Sequence, residues 1–215
     1  MNYKPQFIDK ELTLFKFVSG PYDNNAYLLV CQQTNKSVII DAPGNPDDLI
    51  SAATNTNVST MLITHNHWDH LLGYKEITDN IKAETGIGVN DSKGMLPHVP
   101  DFTIYDGDTL SVGKLNITAI HTPGHTPGST CFLINNLLFT GDTLFPGGPG
   151  KSKSSGSFQD IIKSISTKLL TLDPSITFYP GHGVEGSIDR AKQDYALFEK
   201  NCSSTDIYGD IEWIS

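Results

Sequence analysis

Residues 64–70 read Thr-His-Asn-His-Trp-Asp-His, directly after the apolar run Met61-Leu62-Ile63. Three imidazoles and a carboxylate therefore crowd into six positions, His65, His67, Asp69 and His70, in a chain with 7 histidines among 215 residues. A short apolar run reads as a strand, so the motif is a strand end that delivers several polar side chains to one place. Neutral imidazole nitrogen and carboxylate oxygen are ligands that divalent zinc, iron and manganese accept. A fold built around this segment has to bring further ligands to it from elsewhere in the chain.

Other segments offer them. His121 and His125 lie in His-Thr-Pro-Gly-His-Thr-Pro-Gly-Ser, Asp142 in Phe-Thr-Gly-Asp-Thr, and His182 in Tyr-Pro-Gly-His-Gly. Each follows a strand-like run, and Gly124, Gly141 or Gly181 precedes a candidate, which permits a tight turn into a shared cleft. Spacing alone does not separate His121 from His125.

Short apolar runs read as strands over 12–17, 26–31, 37–41, 60–64, 115–120, 130–134, 137–140 and 176–179, with Asn135-Asn136 as a hairpin turn. Helices are expected after Asn45-Pro46-Asp47-Asp48, with Asn45 as N-cap, over 158–170 and 188–199, and more weakly over 73–82. This mixed order predicts sheets covered by helices rather than a regular alternating wind. The stretch 147–156, rich in Gly, Lys and Ser, reads as a mobile surface loop. No linker divides the chain, so one domain over 1–215 is expected.

A formal charge of −9 disfavours nucleic acid or an anionic membrane as partner. No signal-peptide pattern opens the chain and no 18-residue apolar run occurs, so a cytoplasmic protein is expected. Cys31, Cys131 and Cys202 lack CxxC spacing, which points to neither a disulfide framework nor a thiolate metal site. Gly150-Lys151-Ser152 ends like a phosphate-binding loop, but Phe145 stands where that motif needs glycine.

The ordered set His65-Asn66-His67-Trp68-Asp69-His70, His125, Asp142 and His182, with Val38-Ile39-Ile40-Asp41 before Pro43-Gly44, resembles the metallo-β-lactamase fold superfamily. The wording around His125, and Asp at 142, are most similar to its glyoxalase II (hydroxyacylglutathione hydrolase) branch. The resemblance implies an α+β four-layer αβ/βα sandwich, two mixed sheets face to face with helices outside. It implies two divalent cations, zinc first and iron or manganese as alternatives. His65, His67 and His125 would bind one, Asp69, His70 and His182 the other, with Asp142 bridging. Asp69 would also act catalytically, moving a proton between hydroxide and leaving group. His121 is left to cap or line the site, His98 to a loop, and Asp41 to a supporting role.

Such a ligand set implies metal-assisted hydrolysis of a small-molecule ester, thioester or amide, and the resemblance puts thioester first. The alternative is an iron-dependent oxidoreductase similar to the persulfide dioxygenases, which would use only His65, His125 and Asp142. Two departures from glyoxalase II bear on substrate: 33 residues follow His182, and the 145–151 loop lacks the usual Arg-Thr-Asp continuation. Both point away from glutathione as the recognised group. Lys151 and Lys153 read as solvated lysines. A monomer or small homo-oligomer is expected.

Overall fold

The computed structural model describes residues 3–201 and 206–213; Cys202 lies outside the described residues. Two sheets carry the architecture. The first holds seven strands in chain order: β1 (Phe7–Ile8), β2 (Leu12–Ser19), β3 (Asn24–Cys31), β4 (Lys36–Ile40), β5 (Asn57–Ile63), β6 (Glu84–Gly88) and β7 (Phe102–Ile104). It is antiparallel up to β4 and parallel from β4 to β7. The second is built from β8 (Thr109–Val112), β9 (Leu115–His121), β10 (Thr130–Ile134), β11 (Leu137–Gly141), β14 (Thr177–Pro180) and β15 (Gly186–Ser187), ordered β15-β14-β11-β10-β9-β8. Only the β11–β14 pair in it is parallel. A two-stranded ribbon, β12 (Leu144–Phe145) with β13 (Gly148–Pro149), stands apart.

The side chains sort by strand parity, as a period of two requires. Leu12, Leu14, Tyr27, Leu29, Val38, Ile40 and Leu62 from the first sheet meet Ile117, Phe132, Phe139 and Tyr179 from the second in one buried layer. The opposite faces are covered as well. Leu28, Ile39, Met61 and Ile63 pack with Leu49 of α1 (Asp47–Ala53) and Ile77 of α2 (Tyr74–Asn80). Cys131, Leu138 and Phe178 pack with Phe158 and Ile161 of α3 (Ser155–Ser164) and Ile188 of α4 (Ile188–Asn201). The order helix, sheet, sheet, helix is the expected four-layer sandwich. Burial on both faces explains why the central strands read as unbroken apolar runs. Phe139 is fully buried between Tyr27 and Tyr179, ring centroids 5.0 and 5.4 Å away. Burying one such side chain contributes about 1.5–3 kcal/mol.

All eight expected strands are present, and the Asn135-Asn136 turn joins β10 to β11 with Asn135 at φ 52°. Three expectations need correction. Asn45 does not cap α1: it adopts φ 54°, and the helix begins at Asp47 after Pro46 with no side-chain cap. The helix expected over 158–170 starts at Ser155, capped by the Ser154 hydroxyl, and widens into a π-helical turn over Ile165–Leu169. The 147–156 stretch is no free loop, since Gly148, Pro149, Gly150 and Ser152 are buried and α3 begins inside it. Among the described residues no helix is long and apolar enough to cross a membrane.

Candidate metal centre

The site forms where strands end. Asp41 follows β4, residues 64–70 follow β5, Asp142 follows β11 and His182 follows β14. Within each pair, β4–β5 and β11–β14, the strands run parallel, so their C-terminal ends open on the same side. His125 lies in the turn between β9 and β10. Two glycines make the approach feasible. Gly141 turns the chain at φ 48°, and a Cβ there would lie 2.6 Å from Thr64. A Cβ on Gly181 would lie 2.3 Å from Asp142 Oδ1, filling the cleft. The far strand end is clamped to the first sheet by Asn25 Nδ2 and Tyr27 Oη, which donate to the Pro180 carbonyl at 2.9 and 2.6 Å.

All seven expected ligand side chains converge. Three overlapping groups form, His65/His67/His125, His65/His70/Asp142 and Asp69/His70/His182, with the donor atoms of each group within 4.8 Å of one another. His67 Nδ1 stands 3.1 Å from His65 Nε2 and 2.8 Å from His125 Nε2. Asp142 joins the groups, its Oδ1 3.5 Å from His70 Nε2 and its Oδ2 3.5 Å from His125 Nε2 and 3.7 Å from His182 Nε2. Asp69 Oδ2 lies 3.4 Å from His182 Nε2.

The outer ring nitrogens fix the tautomers. His125 Nδ1 donates to the Lys151 carbonyl at 2.8 Å and His182 Nδ1 to the Tyr22 carbonyl at 3.0 Å. A carbonyl only accepts, so each Nδ1 carries a proton, and in the neutral ring Nε2 presents a lone pair inward. His70 Nδ1 donates to Asp41 Oδ2 at 2.9 Å. Thr64 Oγ1 gives its proton to Asp41, so it accepts from His65 Nδ1 at 3.1 Å. Each of these four rings in its neutral form turns an Nε2 lone pair to the centre, and His70 Nε2 and Asp142 Oδ1 are buried without a hydrogen-bond partner among the described residues. Lone pairs and carboxylate oxygens aimed at each other are a donor set that a cation satisfies and water-sized voids alone do not.

The electrostatics divide the rings. Burial alone would lower the His70 pKa, but the Asp41 and Asp142 carboxylates outweigh it and raise it well above the usual imidazole value. Burial and its four imidazole neighbours push His65 well down, and burial with His125 beside it takes His67 down to about 4. Asp142 is held below the carboxylate range, burial being outweighed by His70, His125 and His182. For Asp69, burial is outweighed by hydrogen bonds from His182 and Asn24. His65, His67 and His125 are thus held neutral, as ligands are, whereas His70 and His182, both raised by the carboxylates beside them, keep a proton that a bound cation would displace.

The remaining candidates fall outside. His121 Nε2 donates to the Pro127 carbonyl at 2.9 Å and joins no ligand group. His98 lies on a loop with its ring against Tyr74, 4.4 Å between centroids. Lys151 faces Asp210 at 3.5 Å, both well exposed. Asp41 supports the site as expected, at φ 63° and 1% exposed.

Two residues carry no sequence signal and matter here. Asn24, fully buried, donates through Nδ2 to Asp69 Oδ2 at 2.9 Å. Asp91, fully buried, accepts from Asn66 N at 3.1 Å, Thr126 Oγ1 at 2.6 Å and Gly128 N at 2.7 Å. It ties the His65–His67 turn to the His125 turn. Asp91→Ala removes three hydrogen bonds to a charged acceptor, and denaturant unfolding should show a loss of about 3–5 kcal/mol. A loss under about 1 kcal/mol would mean the turns hold themselves.

The family model described as the metallo-beta-lactamase superfamily matches residues 19–182. An uncharacterized protein of Mycobacterium leprae (strain TN) is 32% identical over 196 residues, 78% of this chain and 89% of that one. The cytoplasmic hydroxyacylglutathione hydrolase of Arabidopsis thaliana is 33% identical over 172 residues, 74% of this chain and 64% of that one. The chain thus spans under two thirds of that relative's length. ETHE1 from Myxococcus xanthus superposes with TM-score 0.74 at 24% identity, covering 84% of this chain and 81% of that one. TTHA1623 in a di-iron-bound form gives TM-score 0.71 at 23% identity, covering 83% and 97%. With the family model spanning all seven converging side chains, this chain belongs to the metallo-β-lactamase superfamily, among relatives named hydroxyacylglutathione hydrolases.

Proposed function

We propose that this protein is a metal-dependent hydrolase that cleaves an acyl thioester or related ester of a small molecule. The observation that carries the reading is the inward convergence of His65, His67, Asp69, His70, His125, Asp142 and His182. His65, His67 and His125 hold one divalent cation, Asp69, His70 and His182 a second, and Asp142 stands between them. Zinc fits this nitrogen and oxygen set, as do iron and manganese. The di-iron form of a similarly folded protein supports room for two ions.

When bound, such cations supply hydroxide near neutral pH and polarise an acyl carbonyl. The chain's own residues do the rest. Asn24 fixes Asp69 Oδ2, so the carboxylate holds the attacking water's proton and returns it to the leaving thiolate. The Tyr22 and Lys151 carbonyls keep His182 and His125 from swinging out of the cleft. No serine or cysteine nucleophile is needed, and the buried Cys31 and Cys131 lie in the packed layers away from the ligands.

The relatives named hydroxyacylglutathione hydrolases favour a thioester among the possible acyl groups. A test is reconstitution of chelator-treated protein with zinc, iron or manganese and assay on thioesters, lactones and β-lactams. Thioester cleavage restored by metal is expected; no acyl cleavage with any metal refutes the proposal. A second reading, a single-iron oxidoreductase similar to the persulfide dioxygenases, draws on the 3.5 Å approach of His125 Nε2 to Asp142 Oδ2 beside His65. It predicts one iron per chain and oxygen uptake with glutathione persulfide.

A further inference from the structure

We infer that the C-terminal segment, residues 207–213, orients His125 within the cluster, with Trp213 as the positioning residue. The link runs through the 145–152 loop, and the inference rests on the proposed metal-holding role of the cluster. The Lys151 carbonyl is the acceptor that fixes the His125 ring, at 2.8 Å from Nδ1. Its neighbour Gly150 packs against the same ring: a Cβ there would lie 3.4 Å from His125 Nδ1 and collide with the Asp142 carbonyl. The position of this loop therefore decides where His125 Nε2 points.

The loop does little to fix itself beyond Gly150 N, which donates to the Thr143 carbonyl at 3.1 Å. Gly147-Gly148-Pro149-Gly150-Lys151-Ser152 offers no large apolar side chain to bury, and the one short ribbon it forms, β12–β13, ends at Pro149. The C-terminal segment supplies what is missing. Ser152 N donates to the Gly209 carbonyl at 3.2 Å and Gly209 N returns the bond to the Ser152 carbonyl at 3.1 Å. Trp213 N donates to the Gly147 carbonyl at 2.7 Å. At Gly148 a Cβ would lie 2.7 Å from the Ile211 carbonyl, so the two strips of backbone are in direct contact. The Lys151–Asp210 pair is exposed and adds little.

Trp213 is the most buried anchor of the segment, beside the partly buried Ile207 and Ile211 on the same core cluster. Its side chain is 5% exposed, with ring centroids 5.3 Å from Tyr195 and 6.3 Å from Phe198 of α4. The path is thus α4, Trp213, loop backbone, Lys151 carbonyl, His125. The other triad has separate supports, Asp41 for His70 and Tyr22 for His182. Loosening Trp213 should weaken the first triad and spare the second.

The test uses full-length Trp213→Ala and Trp213→Phe protein, loaded with zinc or titrated with cobalt after chelation. Loss of an orienting partner outside the ligand shell lowers metal affinity about 10–100-fold. Trp213→Ala should therefore lose one of two cobalt sites by that factor, with the second within about twofold of the parent. In proton NMR of the zinc form, the His125 Nδ1 proton should exchange at least about tenfold faster; Trp213→Phe should restore both readouts. If Trp213→Ala does not fold, Gly209→Ala, which places a side chain at φ 99°, is read the same way. A variant that melts lower but keeps both affinities and a slow His125 proton overturns the inference. A parent protein that binds no metal overturns the proposed function instead.

Discussion

Asp142→Ala should strip the centre of both cations. Its two oxygens lie 3.5 Å from His70 Nε2 and His125 Nε2, one on each side of the cluster. Removing it therefore unlinks the two triads and leaves five imidazoles facing one another with one carboxylate fewer to offset the cations. Partners outside a ligand shell already govern affinity by about 10–100-fold, so a shared ligand should exceed about a hundredfold. Elemental analysis after dialysis, beside kcat/KM on a thioester, checks both consequences. A variant that keeps two metals per chain would show that Asp142 is a bystander.

Metal removal should cost the protein much of its thermal stability. His70 Nε2 and Asp142 Oδ1 are buried with no hydrogen-bond partner among the described residues, and unsatisfied buried polar atoms are costly. A cation that binds only the folded chain, at a thousand times its Kd, contributes about 4 kcal/mol. For a domain of this length that corresponds to roughly 8–16 °C in Tm. Thermal unfolding with and without a chelator measures the shift. Superimposable curves would mean the cluster is satisfied without metal.

The strands that could be read from the chain are those buried on both faces, because a run such as Tyr27–Cys31 or Leu137–Phe139 needs no alternation to be recognised. β6 escaped for a physical reason. Its sequence Glu-Thr-Gly-Ile-Gly carries two glycines that look like turn residues. A Cβ on Gly86 would meet the Phe102 ring at 2.3 Å, and one on Gly88 the Gly128 carbonyl at 2.2 Å. Those glycines serve neighbours that are distant in the chain, and no local pattern reports them.

The same division holds at the centre. The seven ligand candidates announce themselves by residue type and turn wording, and all seven converge. Asn24 and Asp91 do not, since a lone Asn or Asp in a turn is ordinary and only tertiary contact gives it a role. The 147–156 stretch was misleading because Gly, Ser and Lys describe a mobile loop equally well as one clamped from outside. The backbone laid over it, from Gly209 to Trp213, comes more than fifty residues later. Composition reports what a segment can bury by itself, not what is laid over it.

The most direct measurement is an anomalous-scattering map of crystals grown from protein purified without added metal. Two peaks about 3.5–4 Å apart, one enclosed by His65, His67 and His125 and the other by Asp69, His70 and His182 with Asp142 between, are the predicted result. A map without a peak among these side chains, in crystals of protein active on an acyl substrate, would contradict it.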